Sequence, residues 1–235
     1  MTDFTTLLPQ AAQTAFDSIV DRQGLAIVPA NVGYSFLGHS RASIEKMYDF
    51  KGRRYDNPCI AAGSGKTFDS VMRPMPGVLR AWIEELADWT PVAVVWRLDP
   101  DAPAVRRLDP WVLSRCRIDE TMAVFLNTGP FVEHMVSLAE DRGILLVGSS
   151  ANLSGEGNSY TYQDIPESLR KAADFSVDAG PATYLNDQGR ATTIVNLTNF
   201  TVRRKGVMAE EILADYERMA ASRPELPPAL SVMAK

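Results

Sequence analysis

Three short groups of residues have the types and spacing to handle anions. The first is Lys51-Gly52-Arg53, where residues two apart in an extended segment face the same side. An ammonium and a guanidinium then converge on one spot and can grip a polyphosphate or a carboxylate, with Arg54 widening the charge. The same residues also read as a solvated basic helix end that complements the helix dipole. The second is Ser149-Ser150-Ala151-Asn152-Leu153-Ser154-Gly155, directly after the apolar run Ile144 to Val147. Loops leaving the carboxyl ends of strands line the crevices of open α/β sheets, and small hydroxyl and amide groups reach oxyanions without crowding. An ordinary Ser-Asn-Gly turn is the alternative. The third is Thr192-Thr193-Ile194-Val195 with Arg203-Arg204-Lys205-Gly206 beyond it, hydroxyls entering one strand and cations leaving the next.

Other candidates read as structural. Gly63-Ser-Gly-Lys-Thr67 resembles the end of a phosphate-binding P-loop, but G-x-x-x-x-G-K-[ST] needs glycine at position 60, which is Ile60. His39 and His134 belong to no metal-ligand spacing, and no metal site is expected. Cys59 and Cys116 lie far apart and outside any C-x-x-C pattern, which predicts reduced thiols.

The elements that must position these groups follow from periodicity. Leu8, Ala12, Ala15 and Ile19 recur at helical spacing, and Leu25 to Val28 reads as a buried strand ended by Pro29. Ser40 can cap a helix carrying Ile44, Met47 and Tyr48, with Gly52 at its exit, so Lys51 and Arg53 sit at a helix-to-loop junction. A helix through Val78, Leu79, Trp82, Ile83 and Leu86 precedes a strand over Val92 to Leu98. Thr121 to Leu126 is a further strand, followed by a helix through Val132, Met135, Val136 and Ala139. Strands near Phe175 to Asp178, Thr192 to Asn196 and Phe200 to Arg204 precede a helix through Ile212, Leu213, Tyr216 and Met219. Asp99 to Arg117 shows no clear period, and the Pro224 to Pro228 segment reads as a frayed tail. Alternating helices and strands predict a single α/β, mixed α+β domain over 1–221, with a twisted mixed sheet, flanking helices and a flexible tail over 222–235.

Composition narrows the function classes. With 46% hydrophobic and 23% charged residues the chain is an ordinary globular one that can bury a core without metal or disulfide support. A net charge of -5 argues against general charge-driven nucleic-acid binding, so any positive patch must come from short motifs. The start lacks the basic and apolar regions of a signal peptide and nothing later approaches a membrane span, which predicts a cytoplasmic protein with no membrane partner.

Taken in order, the motifs resemble the signature of the YrdC-like family of threonylcarbamoyl adenylate synthases. That family carries Pro-Thr-x-Thr-x-Tyr-Gly-Leu, then K-x-R, then S-x-N within S-A-N-x-S-G, then S-T-[IV]-V and R-x-G. The corresponding pieces are Pro29 to Phe36, Lys51 and Arg53, Ser150 and Asn152, Thr192 to Val195, and Arg204-Lys205-Gly206. Trp89 to Val95 looks like the family's W-P-G-P-L-T-L-V strand entry. The resemblance implies a YrdC-like fold and attack by the carboxylate of N-carboxythreonine, made from threonine and bicarbonate, on the α-phosphate of ATP, with Mg²⁺ accompanying the nucleotide. It implies Lys51 and Arg53 as the catalytic cations, Ser150 and Asn152 orienting the nucleotide, and Tyr34, Thr192 and Arg204 completing the site. The implied product feeds adenosine modification in tRNA, with downstream modification proteins as partners.

Two departures open alternatives. Thr-x-Thr becomes Ala30-Asn31-Val32, which forfeits two hydroxyls and points to a different acceptor. The strand T-V-A-V-R-V-P becomes Thr121 to Asn127 with Phe125 in place of the arginine, a loss that Arg106, Arg107 or Arg117 could offset. The competing expectations are a carbamoyl adenylate enzyme with another acceptor, and a non-catalytic protein binding a nucleotide or double-stranded RNA.

Overall fold

The computed structural model describes residues 4–233. In chain order the elements are α1 (Phe4–Val20), β1 (Ala26–Ala30), β2 (Gly33–Gly38), α2 (Arg41–Lys51), β3 (Ile60–Ala62), α3 (Gly65–Val71), α4 (Gly77–Trp89) and β4 (Val92–Arg97). They continue with α5 (Pro103–Arg107), α6 (Pro110–Cys116), β5 (Arg117–Ile118), β6 (Thr121–Leu126), α7 (Pro130–Arg142), β7 (Leu146–Ser150) and α8 (Glu167–Ala172). β8 (Phe175–Ser176), β9 (Thr193–Asn196), β10 (Thr201–Arg204), α9 (Ala209–Ala220) and β11 (Ser231–Val232) complete the described residues.

The strands form one mixed sheet in the order β11-β10-β9-β4-β6-β3-β7-β2-β1-β8, with β5 on β6. Strand alternation sends the two faces into different clusters. Val92, Val94, Val124, Val147 and Val195 pack against α2, α4, α6 and α9 through Met47, Trp82, Val112 and Tyr216. Ala26, Val28, Ala62 and Leu146 pack instead against α1 and α7 through Phe16, Ile19, Phe131 and Met135. The last two helices cover only part of their face, and the uncovered remainder, around Ile60, Ala123 and Ile194, floors a cavity.

The helix bearing the K-x-R pair is punctuated as its sequence requires. Ser40 accepts a bond from Ser43 N at 3.2 Å, and Gly52 closes α2 in the left-handed region at φ 57°. Lys51 is therefore the last helical residue and Arg53 the first beyond the cap. The R-x-G glycine has an equally local reason. Gly206 N donates to Thr193 Oγ1 at 3.0 Å, Thr193 Oγ1 donates to Val207 O at 2.7 Å, and a Cβ on Gly206 would collide with the Ala191 carbonyl oxygen. Gly206→Ala must push this turn off β9, and we expect a loss of about 3 kcal/mol in a denaturant titration; a change under about 0.5 kcal/mol would refute the close-approach argument.

Several expectations change. Pro29 does not end a strand: it lies inside β1 opposite Tyr34 of β2, a hairpin strand that the Gly33 to Phe36 stretch gave little sign of. The aperiodic stretch from Asp99 resolves into two short helices, α5 and α6, each opened by a proline at its first position. The closing segment is no frayed tail within the described residues. Tyr216 Oη donates to Pro227 O at 3.1 Å, Leu230 is buried, and β11 adds to β10 in parallel.

Candidate functional site

Two adjoining cavities of about 250 and about 610 Å³ share Arg53, Asn57, Ser150, Arg203 and Arg204. The larger is walled by Lys51, Arg53, Arg190, Arg203, Arg204 and Lys205, with Glu156 the acidic residue lining it. A chain of net charge -5 thus concentrates six cations around one hollow.

Lys51 is only 2% exposed. Its Nζ donates to the carbonyl oxygens of Ser150 and Asn152, which ties the end of α2 to the loop after β7. Burial, then the neighbouring Arg53 guanidinium, lower its pKa to about 7. Arg53 is fixed along one edge by Asn57 O at 3.1 Å and Pro58 O at 2.7 Å, and its guanidinium lies over the Tyr48 ring at 5.8 Å. Ser150 Oγ donates to Asn152 Oδ1, and Asn152 Nδ2 donates to Leu153 O at 2.8 Å and Glu156 O at 2.9 Å. The S-A-N-x-S-G segment is therefore a loop locked by its own amide, with the serine at the last position of β7.

β10 supplies two arginines where alternation would give one. Val202 pairs with Val195 and Arg204 with Ile194, so Arg203 is an extra residue in a bulge, and both arginines reach the cavities. Arg204 Nε donates to Thr192 O at 2.9 Å. Burial, then Arg53, lower its pKa to about 10, which leaves it charged at neutral pH. Arg203 is also lowered, by burial, with Asp119 opposing.

Five of the residues singled out from sequence thus meet at one place: Lys51, Arg53, Ser150, Asn152 and Arg204. Two do not line it. Tyr34 is buried in β2, where its hydroxyl donates to Gly180 O at 2.9 Å and accepts from Ala179 N at 2.9 Å, and burial above all raises its pKa to about 12. It anchors the Asp178 to Gly180 loop. Thr192 is buried beside the site and takes part through its carbonyl, the acceptor that aims Arg204. Arg203 and Lys205, from the third sequence group, line the larger cavity as well, and Arg190 joins them from outside any of the motifs.

The divergent positions have structural consequences. Phe125 packs on the α1 and α7 cluster, and none of the three suggested substitutes lines either cavity. Arg106 pairs with Asp101 at 2.5 Å and Arg107 donates to Arg142 O at 3.0 Å. Arg117 sits on β5. The further cations that do line the larger cavity are Arg190, Arg203 and Lys205. Ala30 and Val32 are buried, while Asn31 between them bonds Asn127 Oδ1 at 2.7 Å and accepts from Tyr184 N at 2.9 Å. The P-loop-like segment instead starts α3, where Ser64 and Thr67 hydroxyls both donate to the Glu140 carboxylate at 2.5 and 2.6 Å. That helix start already holds an internal anion.

The sequence matches the Sua5/YciO/YrdC family, described as telomere recombination, over residues 18–206. The chain belongs to this family. Among solved structures, Sua5 of P. abyssi complexed with L-threonine superposes with a TM-score of 0.68 at 17% identity, covering 96% of this chain and 58% of that one. The chain thus spans just over half the length of that Sua5. A hypothetical protein of Streptococcus mutans gives 0.73 at 17% identity, covering 88% and 91%, and YciO of E. coli gives 0.61 at 18%, covering 86% and 90%. No curated protein matches the sequence. At these identities the structural likeness establishes a shared Sua5/YrdC fold. Within it no described helix is long and apolar enough to cross a membrane.

Proposed function

We propose that the chain is a nucleotidyltransferase of the threonylcarbamoyl adenylate synthase type, which joins a carbamate made from bicarbonate and an amino acid to the adenylyl group of ATP. The observation that supports this most is the convergence of Lys51, Arg53, Arg203 and Arg204 on one hollow beside the locked Ser150 to Asn152 loop. Such a product would feed the modification of adenosine in tRNA. Family membership and the L-threonine held by P. abyssi Sua5 favour an amino acid as the second substrate.

The chemistry asks little covalent work of the protein. A carbamate oxygen attacks the α-phosphorus, the bond from that phosphorus to the bridging oxygen breaks, and pyrophosphate leaves with the electron pair. The attacking oxygen carries no proton, so no general base is needed at that step. What the site must supply is alignment and neutralisation of four clustered negative charges, about ten- to a thousandfold for each well-placed cation. Arg204 and Arg203 face the hollow from β10, Arg53 from the α2 exit, and Lys51 from beneath the β7 loop. Among the described residues no group of three or more His, Cys, Asp or Glu side chains converges, so Mg²⁺ would be held chiefly by the phosphates it accompanies and would further neutralise them.

Lys51 gives this reading a pH signature. An ordinary lysine is charged throughout the neutral range, whereas this one loses its proton near pH 7 in the free protein. A bound polyphosphate favours the charged form and raises the pKa, so binding at pH 8 takes up a proton. Nucleotide affinity then falls as pH climbs above 7, by up to about tenfold per unit. Calorimetry in two buffers of different ionisation enthalpy reads the uptake directly; zero uptake at pH 8 would rule out this role for Lys51.

Turnover is tested by incubating the protein with ATP, Mg²⁺, bicarbonate and an amino acid. Bicarbonate-dependent pyrophosphate release above a Lys51→Ala control supports the reading, and none with any amino acid refutes it. Phe125 in an apolar cluster favours one other reading, a nucleotide-binding protein without turnover, for which calorimetry would show ATP binding and the same assay no release.

A further inference from the structure

The smaller cavity has a floor that phosphate chemistry does not use. Four neighbouring strands contribute apolar residues of one sheet face to it: Ile194 on β9, Val95 on β4, Ala123 on β6 and Ile60 on β3. The register puts them on one face. Val95 pairs with Ala123, Ile194 pairs with Ala93, and Ala61 pairs with Val124, so Ile60 and Ala123 lie together on the opposite side from the Ala61 and Val124 pair. Two of the three lining hydroxyls are turned to protein partners: Thr121 Oγ1 donates to Ile118 O at 2.9 Å and Ser150 Oγ donates to Asn152 Oδ1, while Ser149 also lines the cavity. The mouth is cationic, with Arg53, Arg203 and Arg204 shared with the larger hollow.

A chamber of about 250 Å³ with an apolar sheet floor and three arginines in its lining fits a molecule with a carboxylate at one end and a hydrocarbon at the other. A cavity of about 150 Å³ already admits benzene, so a branched aliphatic side chain has room. Ala30 and Val32, which stand where the family carries its Thr-x-Thr hydroxyls, are buried and outside this cavity, so the chamber's selectivity is set by its own lining. We infer that the acceptor amino acid is aliphatic, with its carboxylate and carbamate at the arginines and its side chain in the chamber floored by Ile60, Val95, Ala123 and Ile194. This rests on the adenylate-forming reading above and names its substrate class.

Valine and threonine have the same shape, which makes them the decisive pair. A site built to bond a hydroxyl rejects the analogue lacking it by about 10⁴-fold, whereas an apolar pocket disfavours the added hydroxyl by about 100-fold at most. In the pyrophosphate assay kcat/KM for L-valine should exceed that for L-threonine by about 10- to 100-fold. Equal values, or a preference for threonine, would overturn the inference and leave the adenylate-forming reading standing. Binding separates the two claims when turnover is absent. N-carbamoyl-L-valine and N-carbamoyl-L-threonine, stable stand-ins for the carboxylated amino acids, are titrated by calorimetry. The valine compound should bind more tightly, and Ala123→Leu and Ala123→Phe, which fill the chamber, should weaken it at least tenfold while nucleotide affinity stays within about twofold. That result without pyrophosphate release would sink the enzymatic reading and support the chamber. If neither compound binds, or the filling variants leave binding unchanged, the chamber is not the acceptor site.

Discussion

Arg204→Ala lowers kcat/KM for pyrophosphate release by about 100- to 1000-fold, the scale of removing one preorganised charge from a transition state. Its Nε is bonded to Thr192 O at 2.9 Å, and its charge persists at neutral pH although desolvation and the neighbouring Arg53 lower its pKa to about 10. That rigidity is what makes the loss large, because a replacement cation would have to be ordered anew. Arg204→Lys should therefore recover only part of the activity. Arg203→Ala should cost less, about tenfold, since its guanidinium has, among the described residues, no counterpart of the Arg204 bond to Thr192 O that would hold it in place. An Arg204→Ala protein that melts normally and turns over within threefold of the parent would remove the β10 arginines from the account.

Lys51→Met is the second large effect, and it acts on function and on the pH dependence of stability. It deletes a cation at the cavity wall and should weaken nucleotide binding at least tenfold and turnover about 100-fold. Stability follows from linkage. The folded lysine titrates at about 7 and the unfolded one near the ordinary 10.5, so between those values the unfolded chain binds more protons. Stability contributed at this position therefore rises with pH from 7 towards 10.5, and the penalty for burying the ammonium is fully present below 7. Against this, Lys51→Met leaves the Ser150 and Asn152 carbonyls without their donor. The difference in unfolding free energy, parent minus variant, should grow as pH rises from 7 to 9. A difference that is flat in pH would show that Lys51 titrates normally.

The parts of the site legible in the sequence are those where side-chain type and local spacing settle the outcome. Lys51 and Arg53 flank a glycine C-cap, so their approach depends on one helix end. Ser150 and Asn152 lie in a loop where their side chains bond to the loop's own residues. That Arg203 and Arg204 both reach the cavity is not legible in the third sequence group, because a regular strand sends neighbours to opposite faces and the bulge depends on pairing with β9. Thr192 acts through its carbonyl, an atom every residue shares, so no side-chain signal marks its role. Tyr34 looks like a site residue by motif, yet its partners at Asp178 to Gly180 lie far along the chain and turn it into an anchor.

The fold divides in the same way. Amphipathic α4, with Leu79, Trp82, Ile83 and Leu86 buried, and alternating β6 follow from periodicity. β2 has almost every position buried because β1 and β7 flank it and both faces are covered, so it shows no alternation to read. The closing strand β11 is two residues long and exists only because β10 offers an edge. Its docking places Val232 and Met233 at the larger cavity, an arrangement of which the proline-rich Pro224 to Pro228 segment gives no sign.

The central claim is that this cationic hollow directs a carbamate onto the α-phosphate of ATP. Mass spectrometry of a short incubation with ATP, Mg²⁺, ¹³C-bicarbonate and L-valine or L-threonine tests it in one step. The account predicts a carbamoyl adenylate heavier by the single ¹³C, formed together with pyrophosphate and missing from Arg204→Ala. Unlabelled adenylate, or ADP and inorganic phosphate in place of AMP-linked product, would contradict it.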